Sequence, residues 1–209
     1  MLEATHIISA LPLPVLDTIL LSPLPHLLAN PRSTVTVLNL VFAAPFAPHM
    51  YHPPGFGYLV PRPEDGYVHT HVPGVLGVVF DTAGLPEQDD NARFVKMTAM
   101  LGGPYASSSE EGVPASALLA SVLPLISAQL GGDPLPPPAH YAVHRNVECI
   151  PTYLVGHTAR MEELGRTLRE RWGGRMEVVG TGVGGVSVAD CVKAGREAAF
   201  QIAAQLEAH

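Results

Sequence analysis

The chain has 209 residues, 47% of them hydrophobic, a formal net charge of −7 and two cysteines. That apolar content supports one large or two small folded domains and excludes a disordered tail, while the acidic balance argues against nucleic acid or an anionic membrane surface as the main partner. Cys149 and Cys191 offer neither metal-ligand spacing nor a disulfide framework, so both read as small buried hydrophobes.

No apolar run reaches the roughly 18 residues of a spanning helix. Residues 1–6 lack the basic region of a signal or transit peptide. With 20 glycines and 21 prolines, turns are frequent and regular elements short.

Residues 5–12 read as a short buried strand stopped by Pro12. It starts without a lead-in, so the beginning of the chain looks cut. Residues 14–21 form a short helix with proline in its first turn, and 22–31 a loop. Residues 34–42 are rich in β-branched side chains and predict a strand. An aromatic, proline-rich loop at 45–57 leads to a short strand at 58–60 and a polar loop at 62–73. Strands follow at 74–81 and 94–101, the second ended by Gly102 and Gly103. Strands in succession without intervening helices predict an antiparallel sheet.

Residues 114–130 predict a helix, with Leu118, Val122, Leu125, Ile126 and Gln129 at helical spacing and Pro124 as a kink. A proline-rich linker spans 133–138, a strand 141–150 and a turn 151–156. Residues 161–172 form an amphipathic helix, with Leu164, Leu168 and Trp172 on one face, that stops at Gly173-Gly174. A last apolar run at 176–179 feeds a glycine-rich turn that opens a terminal helix.

In that turn Gly180, Gly182 and Gly185 fit G-x-G-x-x-G. Glycines there let backbone approach a phosphate or a flavin, and a bare helix start favours negative charge. A dinucleotide fingerprint also needs a second strand ending in an acidic residue about 20 positions on. Glu207 lies at that distance but still within the helical stretch. On these residues alone the turn is either a nucleotide-cofactor loop or a plain connection between strand and helix.

His69 and His71 flank Thr70 in the polar loop and read as surface residues, so no metal site is assigned. His140, His144 and His157 are scattered and have no paired nucleophile, and no residue is assigned a catalytic acid or base role. The loop at 52–61 sets Phe56, Tyr58 and Leu59 on a stiff backbone. It is either an apolar wall for a flat ligand or the hydrophobic plug of an ordinary hairpin, the plainer reading.

Six blocks then occur in order: IISALP at 7–12, GFGYLVP at 55–61, GVLGVVFD at 74–81, MTAMLGG at 97–103, CIPTYLVGH at 149–157 and GVSVADC at 185–191. Together they resemble the C-terminal portion of the oxygen-dependent protoporphyrinogen oxidases, flavoenzymes of haem biosynthesis within the flavin amine oxidase superfamily. The resemblance implies an α+β fold of the FAD-linked amine-oxidase type. Residues 1–30 would end one FAD-binding segment, 31–145 would form a substrate-binding domain around the antiparallel sheet, and 146–209 would be the C-terminal FAD-binding segment.

It further implies that Gly185, Val186, Ser187 and Val188 belong to the C-terminal flavin motif, with the backbone of the last three at FAD. Phe56, Leu59, Val79 and Met100 would line a tetrapyrrole pocket. The implied reaction is hydride removal from protoporphyrinogen IX to flavin, with O2 reoxidising it to peroxide. A homodimer, membrane association and, in a eukaryote, the mitochondrial inner membrane accord with the same resemblance.

The sequence departs from the family's pattern. Residues 181–184 are smaller than the bulky turn common there, Thr158 follows His157 where an aromatic is common, and His69-Thr70-His71 looks like an insertion. The N-terminal phosphate-binding fingerprint and the arginine that pairs with a substrate propionate are absent from the sequence. The chain alone is therefore expected to be inactive. The rival readings are a non-catalytic remnant or short isoform that binds a partner or a tetrapyrrole, and another flavin amine oxidase or desaturase.

Overall fold

The structure, a computed structural model, describes residues 3–43, 51–61, 74–84, 93–103 and 112–207. The polar loop at 62–73, with His69 and His71, lies outside the described residues. In chain order the elements are β1 (Ile7–Ser9), α1 (Leu13–Ile19), β2 (Arg32–Ala43), β3 (Gly57–Leu59), β4 (Val75–Val79), α2 (Asp81–Gly84), β5 (Phe94–Gly103), α3 (Ala115–Gln129), β6 (His140–Pro151), α4 (His157–Trp172), β7 (Met176–Val178) and α5 (Val188–Glu207). They form two compact units, residues 33–149 and residues 1–32 with 150–209.

The unit of residues 33–149 is built on a five-stranded sheet in the order β3-β4-β5-β2-β6. β2 with β5, β4 with β5 and β3 with β4 all pair antiparallel, as the run of strands predicts. Alternation sorts the side chains. Leu38, Leu40 and Phe42 of β2 join Val95, Met97, Ala99 and Leu101 of β5 in one buried core. Against it α3 lays Leu118, Val122 and Ile126, spaced by four residues so that they share one face.

Three expectations for this unit change. β5 runs through Gly102 and Gly103, which pair with Val35 and Thr34, because a glycine inside a ladder still donates and accepts backbone hydrogen bonds. Leu125 is 41% exposed, off the buried stripe. Cys149 is exposed, since it sits on β6 at the margin of the sheet, where most side chains face outward. Pro124 stands inside α3 without ending it.

In the unit of residues 1–32 and 150–209, β1 and β7 pair in parallel. Leu13 and Leu16 of α1, Leu24, Leu27, Leu164 and Leu168 of α4, and Met176 and Val178 of β7 make its core. α4 starts at His157, earlier than its apolar stripe suggests, with Gly156 as cap at φ 83°. Gly173, at φ 60°, closes it and donates its amide to the Arg169 carbonyl. Arg171 donates to the Pro23 carbonyl at 2.6 Å and His26 meets Glu163 at 2.8 Å, so the loop after α1 is tied to α4.

β1 is not the buried strand its composition suggests. Ile7 and Ile8 are 52% and 42% exposed and only Ser9 is buried, because β7 is the one strand paired with it among the described residues. Cys191, in the first turn of α5, is part-exposed rather than buried.

Candidate functional site

β7 delivers the chain to the glycine-rich turn. The Val179 amide bonds the Ser9 carbonyl at 2.9 Å, and the Val183 amide closes back on the Gly180 carbonyl at 3.1 Å. Gly180 and Gly185 hold φ values of 109° and 153°, a region that L side chains rarely enter. A Cβ on Gly182 would lie 2.6 Å from Leu13 Cγ, and one on Gly185 2.4 Å from the Asp190 carboxyl carbon. Only a hydrogen fits at these two places.

The start of α5 is capped from within. Ser187 Oγ accepts from the Asp190 amide at 3.1 Å. The Asp190 carboxylate accepts in return from the Ser187 amide at 3.2 Å and from its hydroxyl at 2.6 Å. This is a capping box with Asp at the third helical position. The Ser187 side-chain and backbone donors hold the Asp190 carboxyl below its ordinary value, so it is ionised near neutrality. The Ser187 amide is therefore engaged. The Val188 and Ala189 amides, at the first two helical positions, have no intrahelical acceptor.

These features choose among ligands. A pyrophosphate would face the Asp190 carboxylate, and no Lys or Arg occurs between Gly180 and Asp190. A neutral ring with carbonyl oxygens at one edge suits the open amides better, and its body would find apolar cover from Val186 and Val188, 47% and 82% exposed. The residues present thus fit the ring portion of a flavin rather than the phosphates of a dinucleotide.

Tyr153 and His157 stand against the same turn. The Tyr153 hydroxyl donates to the Thr181 carbonyl, and His157 Nε2 lies 2.8 Å from the Val183 carbonyl. Burial pushes the Tyr153 phenol up, so it stays protonated.

The other predicted site lies on the unit of residues 33–149. The register sets Leu59 opposite Gly77 and Gly77 opposite Met100. Gly57, Val79 and Thr98 form the adjacent row. By alternation, Leu59, Val79 and Met100 share the face opposite the α3 core. Leu59 reaches over Gly77, where a Cβ would lie 3.0 Å from Leu59 Cδ2 and 2.6 Å from the Tyr58 carbonyl oxygen. In the row of Val79, Asn39 donates to Thr98 Oγ1 at 2.9 Å, and that hydroxyl donates to Asp81 at 2.7 Å.

The loop at 52–61 turns out to be divided. His52 stacks on Phe80 with ring centroids 4.0 Å apart, and Tyr58 donates to Gln129 Oε1 at 2.7 Å, so both act as plug. Burial raises the Tyr58 phenol to about 12, which removes it as an acid or base near neutrality. Leu59 is 86% exposed on the open face. Phe56, 78% exposed, belongs by register to the opposite parity and does not join the row of Leu59 and Met100.

The Ser187-x-x-Asp190 cap was readable from its spacing before an apolar helix. Nothing in the sequence signals that Tyr153 and His157 reach a turn 26 to 28 residues away. Among the described residues no cluster of His, Cys, Asp or Glu could hold a metal.

No protein-family model matches the chain. The protoporphyrinogen oxidase of Macaca fascicularis is 35% identical over 213 residues, covering 96% of this chain and 41% of that protein. The human protoporphyrinogen oxidase is 34% identical with the same coverage. That of Schizosaccharomyces pombe is 28% identical over 83% of this chain and 33% of its own length. The chain thus spans about two-fifths of the first relatives it matches, and the resemblance read from the six blocks extends over nearly all of it. A crystal structure of a candidate protoporphyrinogen oxidase from Exiguobacterium sp. 255-15 shares the fold, with a TM-score of 0.70 at 17% identity over 97% of this chain and 41% of that one. Reduced UDP-galactopyranose mutase does so with a TM-score of 0.60 at 13% identity, over 87% and 36% of the two chains.

Proposed function

We propose that this chain is the C-terminal part of an FAD-dependent protoporphyrinogen oxidase, which oxidises protoporphyrinogen IX to protoporphyrin IX with O2 as final acceptor in haem biosynthesis. The observation that carries the proposal is the 34–35% identity with mammalian protoporphyrinogen oxidases across 96% of the chain. Within it, residues 1–30 and 146–209 are flavin-binding segments and 31–145 the substrate-binding domain. In a eukaryote the whole protein works at the mitochondrial inner membrane. No described helix is long and apolar enough to cross a membrane.

FAD, when bound, would supply the two-electron acceptor chemistry, with O2 as the oxidant that restores it. The chain's own residues bind and orient. The turn at Gly185 would let backbone come close, the Val188 and Ala189 amides would be free to donate to the ring, and Val186 and Val188 would give it apolar cover. On the sheet, Leu59, Val79 and Met100 form an apolar platform for the macrocycle, with Gly77 keeping it flat, while Phe56 lies off that row. Burying apolar macrocycle surface there gains about 25 cal/mol per Å² before association costs. No acid or base on the platform is needed for this role.

The test joins the chain to the N-terminal remainder of the human relative and substitutes Met100→Glu. A carboxylate on an apolar platform costs several kcal/mol if buried by the ligand. We expect the variant to keep its FAD and to lose at least about tenfold in kcat/KM for protoporphyrinogen, a loss of about 1.4 kcal/mol. Unchanged kcat/KM would remove Met100 from the substrate site, and a folded protein without FAD would overturn the flavin reading.

A further inference from the structure

The glycine-rich turn lacks the means to hold its own shape. Four of its six residues from Gly180 to Gly185 are glycine, and the closing bond it makes with itself is Val183 to Gly180. Glycine loses more backbone freedom on ordering than any other residue. A turn of this composition that must present backbone groups to a ligand in one geometry needs an outside support.

That support is a stacked aromatic pair. Tyr153 and His157 lie ring on ring, with centroids 3.7 Å apart and planes within 11°. Each reaches one carbonyl of the turn, Tyr153 that of Thr181 and His157 that of Val183. The pair holds the turn at residues 181 and 183, and each bond is to a backbone carbonyl between the glycines.

Asn30 sets the direction of these bonds. The Leu154 amide, which can only donate, bonds Asn30 Oδ1 at 3.3 Å. The Asn30 Nδ2 group then faces His157 Nδ1 at 3.0 Å and donates to it. Since Nδ1 accepts, the proton of a neutral imidazole sits on Nε2, where it is donated to Val183. A backbone amide thus orients Asn30, Asn30 selects the tautomer, and the tautomer holds the turn.

We propose that Tyr153, His157 and Asn30 are positioning residues that preset the glycine-rich turn for the flavin ring. This rests on the turn facing flavin, and the residues act through the turn without touching the ring. The brace also offers a compensation for the small side chains of residues 181–184, which by themselves leave the turn soft.

The test uses the purified chain and three variants. His157→Phe keeps a ring for the stack and loses both bonds, Tyr153→Phe loses only the hydroxyl, and His157→Gln restores a donor and an acceptor. Amide hydrogen exchange is read in the flavin-free chain at residues 181–185, with β7 and α4 as internal controls. His157→Phe and Tyr153→Phe should each speed exchange in the turn by about three- to tenfold, the range that one hydrogen bond controls. The controls should stay unchanged, and His157→Gln should return toward the parent rate. In the chain joined to the N-terminal remainder of the human relative, FAD affinity should weaken in the two Phe variants and return with His157→Gln. The imidazole carbon and nitrogen chemical shifts of His157 should report the Nε2–H tautomer.

Parent-like exchange in both Phe variants, or an Nδ1–H tautomer, would overturn the brace. Exchange changes with no FAD bound by the parent chain joined to the N-terminal remainder of the human relative would keep the brace and sink the flavin reading instead. Should His157→Phe unfold, Tyr153→Phe and the tautomer still decide.

Discussion

Gly184 and Gly185 are adjacent and have opposite tolerances. A Cβ on Gly184 meets nothing within 4 Å, whereas on Gly185 it strikes the Asp190 carboxyl at φ 153°. Gly184→Ala should therefore stabilise the fold by about 0.4–1 kcal/mol, by narrowing the unfolded ensemble, while Gly185→Ala should cost more than about 1 kcal/mol. Urea unfolding of the two variants checks the pair, and equal effects would contradict the turn geometry. Gly184 and Thr158 line one cavity of about 530 Å³ with Tyr153 and His157. This is the open space that Gly184→Ala enters.

Ser187 gives the second prediction at this scale. Ser187→Ala removes the cap of α5 and should cost about 1 kcal/mol at neutral pH. Asp190 titrates below its ordinary value of 3.8 in the folded chain because Ser187 donates to it. Its contribution is therefore complete above that value and is lost as pH falls through the folded value. The parent should lose this increment of stability in acid, and Ser187→Ala should show a shallower acid loss. Unfolding midpoints across the acid range decide, and parallel curves would contradict the cap.

At the scale of elements, α3 separates pattern from packing. Ile126 is fully buried and Leu125, its neighbour, is 41% exposed. Ile126→Ala should cost about 2–5 kcal/mol. Leu125→Ala should stay within about 0.5 kcal/mol, as surface changes do. Thermal or denaturant unfolding reads the difference, and a large loss at Leu125 would mean a different seat for the helix. The stripe of Leu118, Val122 and Ile126 was legible because helical period and burial agree there. So were β2, β4 and β5 as strands, and the alternation of β5 survives in its register with β2.

What was not legible depended on neighbours. The composition of Ile7 and Ile8 promises burial, yet one strand partner leaves their other surroundings open. Cys149 was misread for a similar reason, since sequence carries no mark of a position at the margin of a sheet. In the loop at 52–61, aromatic content was visible, but which ring plugs the core was decided by the register of β3 on β4. The hold of Tyr153 and His157 on the turn is a tertiary fact and leaves no periodic trace.

At the scale of the whole molecule, the two predicted sites fall on different units, the glycine turn on residues 1–32 with 150–209 and the apolar platform on 33–149. Each is coherent by itself. The turn offers amides and apolar cover for a ring, and the platform offers a flat apolar surface beside the polar row of Asn39, Thr98 and Asp81. An oxidase of a large reduced tetrapyrrole requires both, one for the cofactor and one for the substrate. The identity with protoporphyrinogen oxidases runs through both units.

The most direct measurement is protoporphyrin fluorescence formed from protoporphyrinogen by this chain joined to the N-terminal remainder of the human relative, loaded with FAD and corrected for oxidation by air. The account predicts steady formation above the blank that stops when dioxygen is removed. A folded, FAD-loaded protein that leaves protoporphyrinogen at the blank rate would contradict it.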